Sequence, residues 1–223
     1  MAHASVNTYS GKTLLWFRFR GSGTEGKNMG WGTSSVTPSA ASNVNLFNPA
    51  TEARTAGTST QSTTTFLGDT YLVSGSIVCA VAGKTITEFG LFDTTTLSPS
   101  TTNSNSMTTA TTIITIGSSS GLPGSGNYYL QLGNGETVLV TAGQGGTTLT
   151  VTRAQLGSTA AVQASGTAVT LGGDGGAGTM SLGGQTATVA ASAGGSIFCH
   201  ADFDGIALAV SDSINFTLTD VLS

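Results

Sequence analysis

The amino-acid sequence predicts an all-β protein: a discontinuous base domain of β-sandwich or barrel-like form, with a small β domain inserted into it. Three observations lead there. Gly supplies 32 of the 223 residues, and Thr and Ser crowd the remainder; none of the three favours a helix interior. No long periodic Leu/Ala/Glu/Lys segment occurs, so the 3.6-residue signal of an amphipathic helix is missing. Short apolar runs with period-two alternation recur instead, separated by Gly, Ser and Asn. A mean hydropathy of +0.17 with 8% charged residues is the opposite of the low-hydropathy, high-charge signature of disorder.

The strands follow in order. Residues 14–20 (LLWFRFR) alternate, with Phe17 and Phe19 on one face and Arg18 and Arg20 on the other. A long Gly/Ser/Thr/Asn loop leads to Trp31 in GWGT. Residues 70–81 read as a strand interrupted at Gly75, and 84–92 (KTITEFGLF) as the next, after a turn at Ala82-Gly83. Residues 98–107 are Ser, Thr and Asn for the most part and read as a linker. Short strands are expected at 112–116, 127–132, 136–142 and 147–153. The last two flank Gly143-Gln144-Gly145-Gly146 as a hairpin, with Leu149 and Val151 inward and Thr148, Thr150 and Thr152 outward. A Gly-rich loop over 171–184 precedes a strand at 186–190. Strands at 196–202 and 206–210 are expected to be joined by an Asp204-Gly205 turn. Residues 212–219 alternate Ile214, Phe216 and Leu218 against Ser213, Asn215 and Thr217, a half-buried strand.

Charge and aromatics divide the chain. Between Asp93 and Asp202 only Glu136, Arg153 and Asp174 are charged, and residues 98–193 contain Tyr128 and Tyr129 but no Phe or Trp. Small-residue stretches bracket that region. The expected organisation is therefore a base domain from 1–97 plus 194–223, with 98–193 as an inserted β module.

Composition narrows the function. Seven Lys and Arg against eleven Asp and Glu, net charge -4, are too few cations to neutralise a nucleic-acid backbone. No run of about eighteen apolar residues exists to span a bilayer as a helix, and the polar N-terminus lacks the apolar core of a secretory signal. Catalytic, metal and cofactor sites are not expected. His200 is the only internal His, and with Asp202 two residues on it reads as a structural residue of a strand. Asp202-Phe203-Asp204-Gly205 lacks the downstream oxygen ligands of a calcium loop, since Ala207 and Ala209 stand there. Leu171 to Gly176 resembles a single repeat-in-toxin turn without its repeats. Gly121 to Gly126 lacks the Lys of a phosphate loop. Cys79 and Cys199 sit among apolar residues, as two buried thiols or as a bridge between early and late strands. Glu52 and Arg54 stand on one extended face as a possible pair. Glu88, amid Ile86, Phe89, Leu91 and Phe92, must meet solvent or a cation, with Arg54, Arg18 and Arg20 the available ones.

A set of short segments occurs in a fixed order: Gly30-Trp31-Gly32-Thr33, Thr51-Glu52-Ala53-Arg54 after Leu46, Asp69-Thr70-Tyr71, Ile86-Thr87-Glu88-Phe89-Gly90-Leu91-Phe92-Asp93, Ala201-Asp202-Phe203 and Asp212 to Thr217. Together they resemble a group of tailed-bacteriophage virion proteins, over somewhat more than half the chain; Ser34 replaces the last Gly of that group's WGTG-like turn. The central residues 129–133, 136–142, 148–153 and 157–161 are similar to a small β module spliced into many phage structural proteins. That module often has a His near the position Gln163 holds here.

The resemblance implies a non-enzymatic virion component. The length and the lack of heptads suit a capsid decoration (cement) protein, on the outer surface of the phage head and assembled in the host cytoplasm. Its implied partners are the major capsid protein and two further copies of itself in a homotrimer, with no nucleic acid and no membrane. A phage tail or fibre adaptor, or a receptor-binding protein, is the alternative. The residues expected at a capsid or subunit interface are Lys12, Arg18, Arg20, Trp31, Glu52, Arg54 and Glu88.

Overall fold

In a computed structural model the described residues are 5–7, 25–38, 43–63, 70–172, 178–182, 185–189, 195 and 197–221. They form strands β1 (Ser5–Asn7), β2 (Asn28–Gly32), β3 (Thr55–Ala56), β4 (Thr58–Ser62), β5 (Thr70–Val78), β6 (Lys84–Phe92), β7 (Ser100–Thr102) and β8 (Ile113–Thr115). After them come β9 (Tyr128–Leu132), β10 (Thr137–Ala142), β11 (Thr148–Thr152), β12 (Ala168–Leu171), β13 (Gly178–Leu182), β14 (Gln185–Val189), β15 (Ile197–Leu208) and β16 (Ser213–Val221). A single 3₁₀ turn, Gln155–Gly157, is the only helical element among the described residues. The protein is all-β. The expected strand over 14–20 lies outside the described residues.

Two sheets build the base. The first has five strands in the order β1-β15-β6-β2-β3, and the second has three, β16-β5-β4. Their facing sides share one core of Met29, Trp31, Val73, Ile77, Ile86, Phe89, Leu91 and Phe198, with Cys79 and Cys199 among them as buried cysteines with no disulfide between them. The alternation of β16 appears as expected: Ile214, Phe216 and Leu218 pack on that core while Ser213, Asn215 and Thr217 are exposed. Phe216 stacks on Phe89 with ring centroids 4.3 Å apart. Gly75 does not break β5. It lies opposite Phe216 in an unbroken ladder, and a Cβ there would overlap the Met29 methyl. The glycine is needed for close packing of the two sheets.

Asp204-Gly205 is likewise no turn. β15 runs continuously past it, with Asp202 opposite Glu88 and Ile206 opposite Ile86. Three residues of β15 intervene where β6 has one, so the expected hairpin is a bulge.

The central region forms a second core of its own. Its sheet runs β7-β12-β9-β10-β11-β8. The outer strands also meet: Asn103 bridges Ile116, the Ser104 N–H donates to the Thr115 carbonyl at 2.6 Å, and the Gly117 N–H to that of Thr102 at 2.8 Å. The sheet thus curls until its two outer strands touch at their ends, as a six-stranded barrel closed by this one bridge. Its interior is filled by Met107, Ile114, Ile116, Tyr128, Leu130, Leu132, Val138, Val140, Leu149, Val151, Val169 and Leu171. The residues expected to form a linker over 98–107 instead supply β7 and the closing bridge. These Thr, Ser and Asn residues pair through their backbones and carry no apolar alternation, which is why they do not read as a strand. The hairpin of β10 and β11 has the expected inward and outward residues. The Gly-rich 171–184 stretch, expected as a loop, contains β13, which pairs with β14 just beyond it as a hairpin.

The barrel departs from the base after β6 and returns at β15, and these two strands are neighbours. Phe92 and Ile197 are partners across the ladder. A whole module is therefore looped out between two paired residues.

Candidate functional site

The titratable side chains singled out in the base turn inward. Glu88, at the middle of β6, and His200, on β15, are both 0% exposed. The His200 Nε2 lies 2.9 Å from the Glu88 Oε2. The Asn43 Nδ2 lies 2.9 Å from the other ring nitrogen, Nδ1. With that amide nitrogen donating to Nδ1, the Nε2–H donates to the carboxylate. Glu88 accepts three backbone N–H groups as well: Asn48 at 2.8 Å, Phe47 at 3.0 Å and Ser34 at 3.3 Å. The Phe47 ring stands edge-on to the imidazole, with centroids 4.8 Å apart. A buried carboxylate with four donors is well satisfied. Its partners are thus His200 and the 34 and 47–48 backbone, where the sequence suggested an arginine. Both imidazole nitrogens are engaged, so His200 serves here as an oriented strut.

The remaining expected residues form a second group. Trp31, on β2, is 2% exposed, and its indole Nε1–H donates to the Glu52 Oε2 at 3.3 Å. Glu52, itself 6% exposed, also takes the Lys84 ammonium and the Val81 N–H. Burial raises the Glu52 carboxyl, but the hydrogen bonds from Lys84, from its own backbone N–H, from Trp31 and from Val81 outweigh it. The net effect holds the carboxyl below its ordinary range.

Arg54 takes different partners. Its guanidinium carbon lies 3.4 Å from the centroid of the Phe92 ring. It donates to the carbonyls of Thr96 at 2.8 Å and Thr94 at 3.4 Å, and to the Ser98 hydroxyl at 3.2 Å. Burial lowers it to about 9, with Asp93 pulling it back up, so it stays protonated at neutral pH. Its donors fasten the stretch through which the chain leaves the base for the barrel.

No family model, no curated protein and no solved structure matches this chain. The residues therefore carry the functional reading. Of the seven expected at an interface, Lys12, Arg18 and Arg20 lie outside the described residues. Trp31, Glu52, Arg54 and Glu88 are buried within one chain and hold the base together, because each closes hydrogen bonds that water would otherwise have to supply. Among the described residues, no group of three His, Cys, Asp and Glu side chains converges as metal ligands would. The sequence reading missed three contributors: Asn43 and Lys84, which carry no motif, and the partnership of His200 with Glu88. Strand alternation offered one signal. Glu88 and Asp202 are register partners, so His200, two residues back on β15, shares the face of β6 on which Glu88 stands.

Proposed function

We propose that this chain is a non-enzymatic structural protein of a tailed-phage virion, a decoration or cement protein on the outer surface of the capsid. The base binds major capsid protein where capsomers meet, as a homotrimer, and the barrel projects away from the shell. One observation carries the reading. The segments that resemble the virion group are scattered from Gly30 to Thr217, yet their described residues belong to the two sheets of one base and to what packs against them. The second resemblance falls on the barrel, spliced in between the paired residues Phe92 and Ile197. The two likenesses thus follow the division of the fold.

The mechanism is mechanical. Packed DNA presses outward on a thin shell, and a clamp bound across adjacent capsomers resists their separation. Trimeric symmetry multiplies modest contacts from each chain. Quantitative mass spectrometry of purified virions tests the proposal: copies comparable to the major capsid protein are expected. A handful of copies per particle would overturn it and favour a tail or receptor-binding role.

A further inference from the structure

Residues 43–48 belong to no strand, yet 43–47 are all buried, and only Asn48 at the end of the segment is exposed. They run between the base and the barrel, and successive side chains and amides engage the two units in turn. Asn43 reaches down to His200. The Val44 N–H donates to the Gln131 Oε1 on β9 at 3.0 Å, and the Val44 side chain clusters with Tyr129, Leu139 and Leu156 of the barrel. The Asn45 amide donates to the Leu171 carbonyl at 3.0 Å and to the Ser98 hydroxyl. Leu46 packs beneath Phe92 and Ile197, the pair across which the barrel leaves and returns. Phe47 and Asn48 come back down to Glu88. Above Phe47 sits the turn at Gly135, where a Cβ would lie 3.4 Å from the Phe47 ring and 3.0 Å from Val36.

We infer that residues 43–48 are a brace that sets the orientation of the barrel on the base, clamped below by Glu88 and His200 and received above by Gln131, Leu171 and Tyr129. A module joined to its host through two adjacent connections would ordinarily swing. Here the swing is opposed because any rotation of the barrel strips buried polar groups of their partners on both sides at once. The brace gives a role to the buried Glu88 carboxylate, the His200 imidazole and the side-chain amides of Asn43, Asn45 and Gln131: directional bonds fix an angle, whereas apolar contact alone tolerates sliding. The inference does not rest on the virion reading, and its test does not involve capsids.

The test is residual dipolar coupling of backbone N–H groups in the full chain, aligned in a dilute liquid-crystalline medium. In the native chain one alignment tensor fits the strands of both units. In Val44→Ala/Asn45→Ala each unit still fits a tensor of its own, but the two tensors separate. These substitutions lie outside every sheet, so residues of both units away from the brace contacts keep their native chemical shifts; Asn45→Ala alone is the gentler variant if the double one does not fold. A single common tensor that persists in the folded variant would overturn the brace, as would two distinct tensors in the native chain.

Discussion

Arg153 has every one of its N–H groups committed. Its Nε and one terminal nitrogen hold the two Glu136 oxygens at 2.7 and 2.6 Å, and the remaining donors reach the carbonyls of Thr108, Thr111 and Ala161. Glu136 accepts the Ala154 and Ala161 N–H groups in addition. Three loops at one end of the barrel are thus tied to a single bidentate pair. Arg153→Met leaves the Glu136 carboxylate buried without its cation, and should cost about 3–5 kcal/mol; urea unfolding checks it as a lower midpoint. The sequence made these two charges conspicuous by their isolation in a near-neutral region but did not pair them, because the contact spans two strands and a turn. Glu52 gives a pH signature. Its carboxyl is depressed in the folded state, so its contribution is complete above the unfolded value and is lost as pH falls through the folded one. The stability gap between the native chain and Glu52→Gln should therefore stay constant at neutral pH and narrow below about pH 4.3, the ordinary Glu value. Denaturant titrations at several pH values measure it; a gap that widens in acid contradicts the assignment.

At the level of the element, turns were legible where glycine is forced and misleading where it is only tolerated. Gly143 opens the β10–β11 turn with a φ of +83°, and a Cβ there would overlap the Thr148 carbonyl. Gly157 has a similar φ of +86° but nothing within 4 Å of a Cβ. Both substitutions to Ala strain the backbone, by about 1–3 kcal/mol. Gly143→Ala adds a steric clash and should be clearly the worse of the two in a side-by-side thermal melt. Equal losses would mean that backbone strain alone matters at both. Asp204-Gly205 carries the same turn chemistry as a hairpin, yet β15 continues through it, because the ladder with β6 resumes at Ile206. Local propensity names the place where a strand bends. The pairing partner, which the local sequence does not contain, decides whether it ends. The same limit hid β7, whose polar residues pair without alternating.

For the whole molecule, the all-β class and the change of character between Asp93 and Asp202 were both readable, since charge and aromatic content shift where one core gives way to another. Barrel closure was not readable, because it depends on Asn103 meeting Ile116 across residues that look like a linker. Replacing residues 98–193 by a short Gly/Ser linker should leave the base folded, since Phe92 and Ile197 already stand side by side. Hydrogen exchange of that variant has a specific expectation. The amides of Phe47 and Asn48, held by Glu88, remain protected, whereas the Val44 amide, deprived of Gln131, exchanges freely. Protection of Val44 in the shortened chain would mean that it is held from the base alone.

The same pair of residues gives the base the properties of a socket. Antiparallel partners stand about 4.5–5.5 Å apart at their Cα atoms, so any guest domain whose own ends lie that close can be mounted there without disturbing the rungs on either side. Under the proposed capsid role, exchange of the guest would change what the particle presents to its surroundings while the two-sheet base kept its rungs, so the base would serve as the mount and the barrel as its load.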